Sequence, residues 1–363
     1  MHHWIAEPDE LAARLARWPS FDLLALDTEF IRERTWWPQL ALVQLAVPGE
    51  DALLVDPTVA GMPEALRPVI ANPLVVKLMH SASEDIQALQ RGCGAPPAPL
   101  FDTQIAAALC GIGAGMGYQR LVETLLGVAL PKSETRSDWM KRPLSAAQLA
   151  YAADDVLHLH ALHAILRDRL RTLGREAWLA EDCARLVAGA SAGAPDPCPH
   201  LALRGAQFLD REAQARLCRL LRWREAQARA SDRPKGWILD NDLAIALARK
   251  PPADARALNG FLDTQPKAPR KLRAELWSTL SEPLTAEERD VPLASVPDGP
   301  QKKRLRALQD AVAALAATLG IDAGVLASRR TLEGLVEGDS WPAGLDGWRR
   351  GLLEPVLRPL LAA

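Results

Sequence analysis

The chain has 363 residues, of which 48% are hydrophobic and 24% charged, and its formal net charge at pH 7 is −2. This composition is typical of a globular protein with two or three domains, and it excludes a disordered or fibrous chain. The sequence contains no run of about 18 apolar residues and no basic N-terminal stretch followed by an apolar segment, so neither a membrane span nor a secretory signal is expected.

Strand-like and helix-like segments alternate along the first part of the chain. Short apolar runs bounded by proline, glycine or charged residues predict buried strands at 21–30, 40–47, 52–57, 74–81 and 100–104. Helical patterns occupy 58–71, 81–92, 118–127 and about 145–173. Such an alternation predicts an α/β domain, with a mixed sheet flanked by helices.

The second half of the chain is predicted to be helical and divided by linkers. Residues 187–200 are rich in Ala, Gly and Pro, and residues 281–300 contain four prolines, so both stretches are interpreted as linkers. Helical patterns fill 203–280 and 301–362. Two all-α modules are therefore expected after the α/β domain.

Charge is distributed unevenly along the chain. Residues 1–200 carry 17 basic and 24 acidic residues (net −7), whereas residues 201–280 carry 16 and 9 (net +7). A basic module indicates either contact with a polyanion or simply well-solvated helices. Five arginines fall within fourteen residues of one predicted helix and are candidates for phosphate contacts: Arg211, Arg216, Arg219, Arg222 and Arg224.

The five cysteines are scattered along the chain. None forms a C-x-x-C pair, and their number is odd. A disulfide framework and a thiolate zinc site are therefore not expected, and the pattern favours a reduced, cytoplasmic protein.

Three acidic motifs are candidates for metal chemistry. Asp27 and Glu29 stand two apart near the end of an apolar strand, so both carboxylates point to one face of the sheet. Asp85 lies in the first turn of a helix, where an acidic residue also complements the helix dipole. Tyr151 and Asp155 stand four apart and share one helix face. Each motif by itself also fits a purely structural role.

The order and context of these motifs resemble the tyrosine branch of the DEDD exonuclease superfamily. The segments DTEFIRERTWWPQLALVQLA, LMHSASEDIQAL, LFDTQIAAAL and KSETRSDWMKRPLSAAQLAYAADDV look like the bacterial ribonuclease D family over roughly residues 20–175. LCRLLRWREAQARASDRPKGWILDNDLAIALARKPP resembles an HRDC domain, and the last module matches a second, divergent HRDC-like domain by position and helicity only. The sister branch has a histidine where this chain has Ala150, which leaves the role to Tyr151.

This resemblance implies an architecture and an activity. It implies a ribonuclease H-like exonuclease domain over 1–190, an HRDC domain over 203–282 and a second HRDC-like domain over 300–363. The implied enzyme is a 3′→5′ exoribonuclease that releases 5′-mononucleotides from precursor tRNA 3′ ends and small structured RNAs. It would be a cytoplasmic monomer with no membrane association.

The resemblance also implies roles for individual residues. Two divalent ions, Mg²⁺ or Mn²⁺, would be held by four carboxylates, with Asp27 bridging both and Glu29 and Asp155 on the ion that activates water. Asp85 would reach the other ion, and Tyr151 would place the attacking water. Candidates for contact with the terminal nucleotide are Trp36, Trp37, Gln44 and His80, whereas Asp102 is expected to be structural.

Two other functions remain open from the sequence. The same carboxylates would serve a DNA 3′→5′ exonuclease in repair, since the contact that reads a 2′-hydroxyl is not visible in the sequence. A catalytically inactive RNA-binding scaffold is the other alternative, although all five motif residues are in place. A helicase is not expected, because the G-x-x-x-x-G-K-[ST] phosphate loop is missing.

Overall fold

The computed structural model describes residues 1–131, 134, 137–296, 298–338 and 341–362. Within the KSETR segment of the last motif, Lys132, Ser133, Thr135 and Arg136 lie outside the described residues. The chain divides into two compact units. The first unit consists of Met1–Ile31, Pro38–Gly193 and Asp298–Ala363, and the second of Arg32–Trp37 and Ala194–Pro297.

The N-terminal part of the first unit is an α/β domain. Its strands are β1 (His2–Ile5), β2 (Leu23–Ile31), β3 (Gln39–Ala46), β4 (Ala52–Val55), β5 (Val76–Met79) and β6 (Leu100–Asp102). Its helices are α1 (Pro8–Arg17), α2 (Met62–Ile70), α3 (Ser83–Cys93), α4 (Thr103–Leu109), α5 (Tyr118–Leu126), α6 (Ala146–Leu157), α7 (Leu159–Leu173) and α8 (Glu176–Ala192).

One mixed sheet organises this domain, in the order β1-β4-β3-β2-β5-β6. β3 runs antiparallel to both β2 and β4, whereas β1 with β4, β2 with β5 and β5 with β6 are parallel pairs. The central strands are buried because both faces of the sheet are covered by helices, and Leu24, Leu26, Leu42 and Leu45 are fully buried. The mixed sheet flanked by helices is confirmed.

The remaining helices lie in two groups. In the second unit they are α9 (Arg211–Ser231), α10 (Lys235–Ile238), α11 (Asn241–Arg249), α12 (Ala255–Asp263), α13 (Arg273–Ser281) and α14 (Ala286–Arg289). In the C-terminal part of the first unit they are α15 (Gly299–Leu319), α16 (Ala323–Leu326), α17 (Arg329–Glu337) and α18 (Trp348–Ala362). Short 3-10 turns occupy Pro199–Ala202, Arg204–Phe208 and Ala343–Leu345.

Several sequence boundaries need correction. The stretch from residue 187 is helix α8 up to Ala192, because this helix packs on α3, α4 and β6 and its small residues fit those contacts. The predicted helix over 145–173 is two helices that meet at His158. The elements β1, α1 and α4 have no counterpart among the predictions, and two of them, β1 and α4, span only four and seven residues. Among the described residues, no helix combines the length and apolar character needed to cross a membrane.

Candidate active site

The first two carboxylates are presented by the central strand β2. Asp27 and Glu29 alternate with the buried Leu26 and Thr28, so both point to the same face of the sheet. The ladder with β3 shifts register between Glu29 and Phe30, which marks a β-bulge directly after the second carboxylate. Bulges of this kind are frequent next to active sites because they redirect the strand.

The third carboxylate comes from helix α6. Asp155, Asp27 and Glu29 each offer a carboxylate oxygen, and these three oxygens all lie within 4.8 Å of one another. All three residues are half-buried. Helix α6 begins with a capping box, in which Gln148 N donates to Ser145 Oγ (3.1 Å) and Ser145 N donates to Gln148 Oε1 (3.0 Å). This cap fixes the start of the helix one turn before Tyr151.

Asp85 enters the site from the first turn of α3. It is buried, and it accepts a hydrogen bond of 2.5 Å from Thr28 Oγ1 on β2. It is not part of the group of three oxygens, but its charge is close enough to raise the pKa of Asp27. The three acidic motifs, separated by more than a hundred residues of sequence, therefore converge.

The four carboxyl groups of this site have pKa values above their ordinary values. Burial, followed by the charges of neighbouring carboxylates, raises the pKa of Asp27 well above its ordinary value. The same causes raise the pKa of Glu29 to about 9. Burial also raises the pKa of Asp85 to about 6 and that of Asp155 to about 7. A cluster of this kind is stabilised by a divalent cation, and hard cations prefer carboxylate oxygen. The residues present therefore fit such an ion.

Tyr151 lies within this cluster. Its hydroxyl lies near the carboxylate of Asp155, and its ring lies 6.1 Å from that of the buried Trp139. Burial and the nearby carboxylates raise its pKa, so the phenol stays protonated. At this position Tyr151 is a hydrogen-bond donor rather than a base.

Tyr118 is a further residue at the site that sequence reasoning missed. Its hydroxyl donates to the backbone oxygen of Asp154 (2.9 Å), and its ring meets that of His80 edge to face at 5.6 Å. Burial, and then the charge of Asp155, raises its pKa. The only available signal was that Tyr118 and Tyr151 are the two tyrosines of the chain.

The turn before α3 is held by Asp102. This buried carboxylate accepts from four backbone amides, those of Ser81 (3.2 Å), Ala82 (2.9 Å), Gln104 (2.8 Å) and Ile105 (3.2 Å). Ser81 has φ +59°, a left-handed conformation that these bonds help to hold. This geometry matches the structural role expected for Asp102.

The four residues considered for substrate contact have different surroundings. His80 is half-buried, and its Nδ1 lies 2.9 Å from Thr103 Oγ1. Gln44 is fully buried opposite Asp27, so its position does not support a contact with nucleotide. Trp36 and Trp37 are half-buried and belong to the second unit.

Within the second unit, the two tryptophans are held by α9 and by Asp232, the residue that directly follows this helix. Both backbone amides donate to Asp232 Oδ1, that of Trp36 at 3.0 Å and that of Trp37 at 2.9 Å. Arg229 lies over both rings, at 5.3 and 5.9 Å from their centroids, and Lys235 Nζ lies 4.7 Å from that of Trp36. The turn is therefore both hydrogen-bonded and surrounded by cations.

The five arginines proposed for phosphate contacts on α9 bind groups of their own unit. Arg219 pairs with Glu288 and donates to three backbone oxygens. Arg224 is buried against Leu239 and Asn241. The other three donate to the backbone oxygens of Arg289, Ala248 and Pro197. These contacts fix the packing of the unit, so the structure does not support a phosphate-binding surface built from these arginines.

Comparison with known proteins identifies both the fold and the family. Residues 2–171 match the 3'-5' exonuclease family, and residues 213–273 match the HRDC domain. A ribonuclease D of Xanthomonas oryzae pv. oryzae is 55% identical over all of this chain and 99% of the relative. The chain belongs to the ribonuclease D family.

Further comparisons extend along the whole chain. A ribonuclease D of Pseudomonas paraeruginosa is 35% identical, over 96% of this chain and 94% of the relative. The crystal structure of Escherichia coli RNase D, described as an exoribonuclease involved in structured RNA processing, matches with a TM-score of 0.84 and 29% identity. That match covers 100% of this chain and 99% of the other.

Membership of the ribonuclease D family confirms the main expectations. The chain is a 3′→5′ exoribonuclease with a ribonuclease H-like exonuclease domain followed by an HRDC domain. RNA is its class of substrate.

Proposed function

We propose that this exoribonuclease hydrolyses RNA at a site where Asp27, Glu29, Asp85 and Asp155 hold two divalent cations, Mg²⁺ or Mn²⁺. The observation that carries the proposal is the group of three carboxylate oxygens within 4.8 Å of one another, with Asp85 close by on α3. Paired divalent cations supply charge neutralisation, an activated water and stabilisation of the leaving oxygen. The carboxylates supply the oxygen donors that Mg²⁺ and Mn²⁺ prefer.

Tyr151 serves the same site as a donor that places the attacking water. Its hydroxyl lies near Asp155, and its raised pKa keeps the proton on the phenol. The half-buried His80 is proposed to contact the terminal nucleotide, and Trp36 and Trp37 offer aromatic faces on which bases stack. Gln44 was expected to share this role, but its complete burial favours another role.

The proposed substrates are the 3′ ends of precursor tRNA and small structured RNAs, released as 5′-mononucleotides. Support comes from the Escherichia coli relative, which is described as acting in structured RNA processing.

We also propose that the protein is a cytoplasmic monomer. Its proposed domains are an exonuclease domain over 1–190, an HRDC domain over 203–282 and a second HRDC-like domain over 300–363, the last supported by its helical content.

A cleavage assay tests this proposal. The protein is incubated with RNA and with DNA of the same sequence, each labelled at the 3′ end, with Mg²⁺, with Mn²⁺ or with EDTA. Release of single mononucleotides from RNA, abolished by EDTA and by Asp27→Ala, is the expected result. Asp22→Ala is the matched control, because Asp22 is an exposed aspartate just before the same strand. Internal cleavage, or activity that survives EDTA, would overturn the proposal, and equal cleavage of DNA would favour the repair exonuclease.

A further inference from the structure

Gln44 is an unusual residue at the centre of the sheet. Its side chain is fully buried, and neither Nε2 nor Oε1 has a hydrogen-bond partner among the described residues. The other two buried glutamines differ in this respect, since Gln148 bonds Ser145 and Asp138, and Gln214 bonds Leu209 and Ala294. A buried amide without partners is destabilising, so such a group calls for an explanation.

The position of Gln44 in the sheet points to its partner. In the β2–β3 ladder Gln44 lies directly opposite Asp27. Residues directly opposite in an antiparallel pair point to the same face, with Cβ atoms roughly 4.5–5.5 Å apart. The amide of Gln44 therefore lies beside the carboxylate of Asp27, and on its other side Gln44 pairs with Leu54 of β4.

The complete burial of Gln44 disfavours a contact with substrate and leaves few other partners. On the same face of the sheet, Leu42 of β3 and Leu54, the ladder partner of Gln44 on β4, are apolar and fully buried. Helix α6 packs on β2, β3 and β4. The polar group directly opposite in the β2–β3 ladder is the carboxylate of Asp27, which can accept more hydrogen bonds than a cation on one side of it occupies.

We propose that Gln44 is a positioning residue for Asp27: its Nε2, which has no partner in the structure, donates to the Asp27 carboxylate once the cations are bound and holds that carboxylate toward them. This inference rests on the proposed metal site. A residue that orients a ligand in this way tunes metal affinity without touching the metal, and its loss typically weakens binding by about 10–100-fold.

Replacing the side-chain amide of Gln44 distinguishes a positioning role from a purely structural one. Gln44→Met keeps the length of an unbranched side chain and removes both polar atoms. We expect Mn²⁺ binding, measured by calorimetry on the full chain without RNA, to weaken at least about tenfold. The Tm of the metal-free protein should stay unchanged or rise, because the variant no longer buries unmatched polar atoms. Leu54→Met is the matched control, a volume-conserving change in the same buried layer that should leave Mn²⁺ binding unchanged.

Opposite outcomes overturn the inference. If Gln44→Met binds Mn²⁺ as tightly as the wild type, or loses Tm without losing affinity, Gln44 has no positioning role and the metal site stands. If the wild type itself binds no Mn²⁺, the proposed function fails instead. Should the variant not fold, the side-chain amide signals of Gln44 in the wild type, followed by NMR during addition of Mg²⁺, decide the question. A shift of these signals supports the inference, and unchanged signals overturn it.

Discussion

At the scale of single residues, the two tyrosines of the chain differ in role because their hydroxyl groups have different neighbours. Burial, and then the charges of nearby carboxylates, raises the pKa of both phenols. The hydroxyl of Tyr151 lies near the side chain of Asp155, whereas that of Tyr118 donates to the backbone oxygen of Asp154. The first contact reaches a proposed metal ligand, and the second holds the path of α6.

Replacing Tyr151 by Phe is therefore expected to slow hydrolysis strongly. The loss should be on the order of 100-fold in kcat, the usual contribution of a positioned proton-bearing group, while the Kd for Mn²⁺ stays near that of the wild type. Single-turnover rates and Mn²⁺ titrations measure the two effects. Tyr118→Phe is the control, with a stability loss of about 1 kcal/mol and little change in rate. Equal activity of Tyr151→Phe would remove this hydroxyl from the reaction.

The raised pKa values of the carboxyls also predict how stability depends on pH. An unfolded carboxyl titrates near pH 4, whereas the folded protein keeps protons on Asp85, Asp155 and Glu29 up to about pH 6, 7 and 9. Because the folded state binds more protons in this window, metal-free stability falls as pH rises through it. Added Mn²⁺ should therefore raise Tm more near pH 8 than near pH 6, the two values lying within this window.

The variant Asp27→Asn tests the same dependence of stability on pH. The neutral amide removes one charge from the cluster, so the metal-free variant should melt a few degrees above the wild type at the alkaline end of the window and close to it at the acidic end. The variant should also lose the Mn²⁺-dependent rise in Tm and the activity. Thermal melts with and without Mn²⁺ at both pH values measure this, and a variant less stable than the wild type under alkaline conditions would contradict it.

At the scale of elements, the segment before α6 is held by Arg142. Its guanidinium contacts the buried Asp56 through Nε (2.6 Å) and Nη2 (2.8 Å), and it also donates to the backbone oxygens of Trp139 (2.7 Å) and Ala41 (2.6 Å). The pair lowers the pKa of Asp56 against the effect of its burial. One side chain thereby joins β3, the end of β4 and the entry to the helix that carries Tyr151 and Asp155.

Arg142→Ala should cost about 2–3 kcal/mol of unfolding free energy, because it leaves the Asp56 carboxylate buried without its cation. Urea denaturation measures this loss. The double variant Arg142→Ala with Asp56→Ala should be less destabilised than the sum of the two single variants. Arg120→Ala, at an exposed position, is the control and should stay within about 0.5 kcal/mol of the wild type. An effect of Arg142→Ala as small as that of the control would contradict the prediction.

The elements also show how far the sequence allows prediction. Apolar runs such as 21–30 and 40–47 correspond closely to β2 and β3 because burial on both faces requires continuous hydrophobicity. The end of α8 could not be predicted in this way. Gly189 disfavours a helix at this point although alanine favours one, and the contacts of α8 with α3, α4 and β6 stabilise the helical conformation. The convergence of the acidic motifs was expected, whereas the contacts of Tyr118 depend on spatial neighbours from other elements.

At the scale of the whole molecule, the basic charge of the second unit is divided between two kinds of residue. The arginines of α9 contact their own unit, as described above. In the loop between α12 and α13, Lys267, Arg270 and Lys271 are exposed and make no hydrogen bond or ion pair within the described part of the chain. Exposed cations of this kind are the ones that release counterions when they meet phosphates.

Replacing Lys267, Arg270 and Lys271 together by Gln is expected to weaken RNA binding and reduce its salt dependence. Each lost phosphate contact lowers the slope of log K against log salt by about 1, so binding isotherms at several salt concentrations measure the number of contacts. The matched control replaces Lys302, Lys303 and Arg304 of α15, also three neighbouring cations. Unchanged slopes in the first variant, or equal losses in both, would contradict this assignment.

It could not be predicted from the sequence either that the C-terminal helices belong to the first compact unit. Residues 298–362 have the composition of an independent helical module, yet they cluster with the exonuclease part in the first unit. The rings of Trp178 and Trp348 stack at 4.3 Å, and Arg349 pairs with Asp182 of α8. Aromatic stacking and ion pairs between distant segments leave no periodic signal, so only the structure shows them.

The carboxylate of Asp232 has a consequence for the synthesis of the protein. It accepts the amide protons of Trp36, a residue 196 positions earlier that follows closely on the strand carrying Asp27 and Glu29. At roughly 5–20 residues per second, the ribosome delivers Asp232 about 10–40 s after that tryptophan. The turn that leaves the catalytic strand therefore acquires its anchor only when most of the chain has emerged, and a nascent chain stopped before Asp232 carries all the proposed metal ligands with this turn still unanchored.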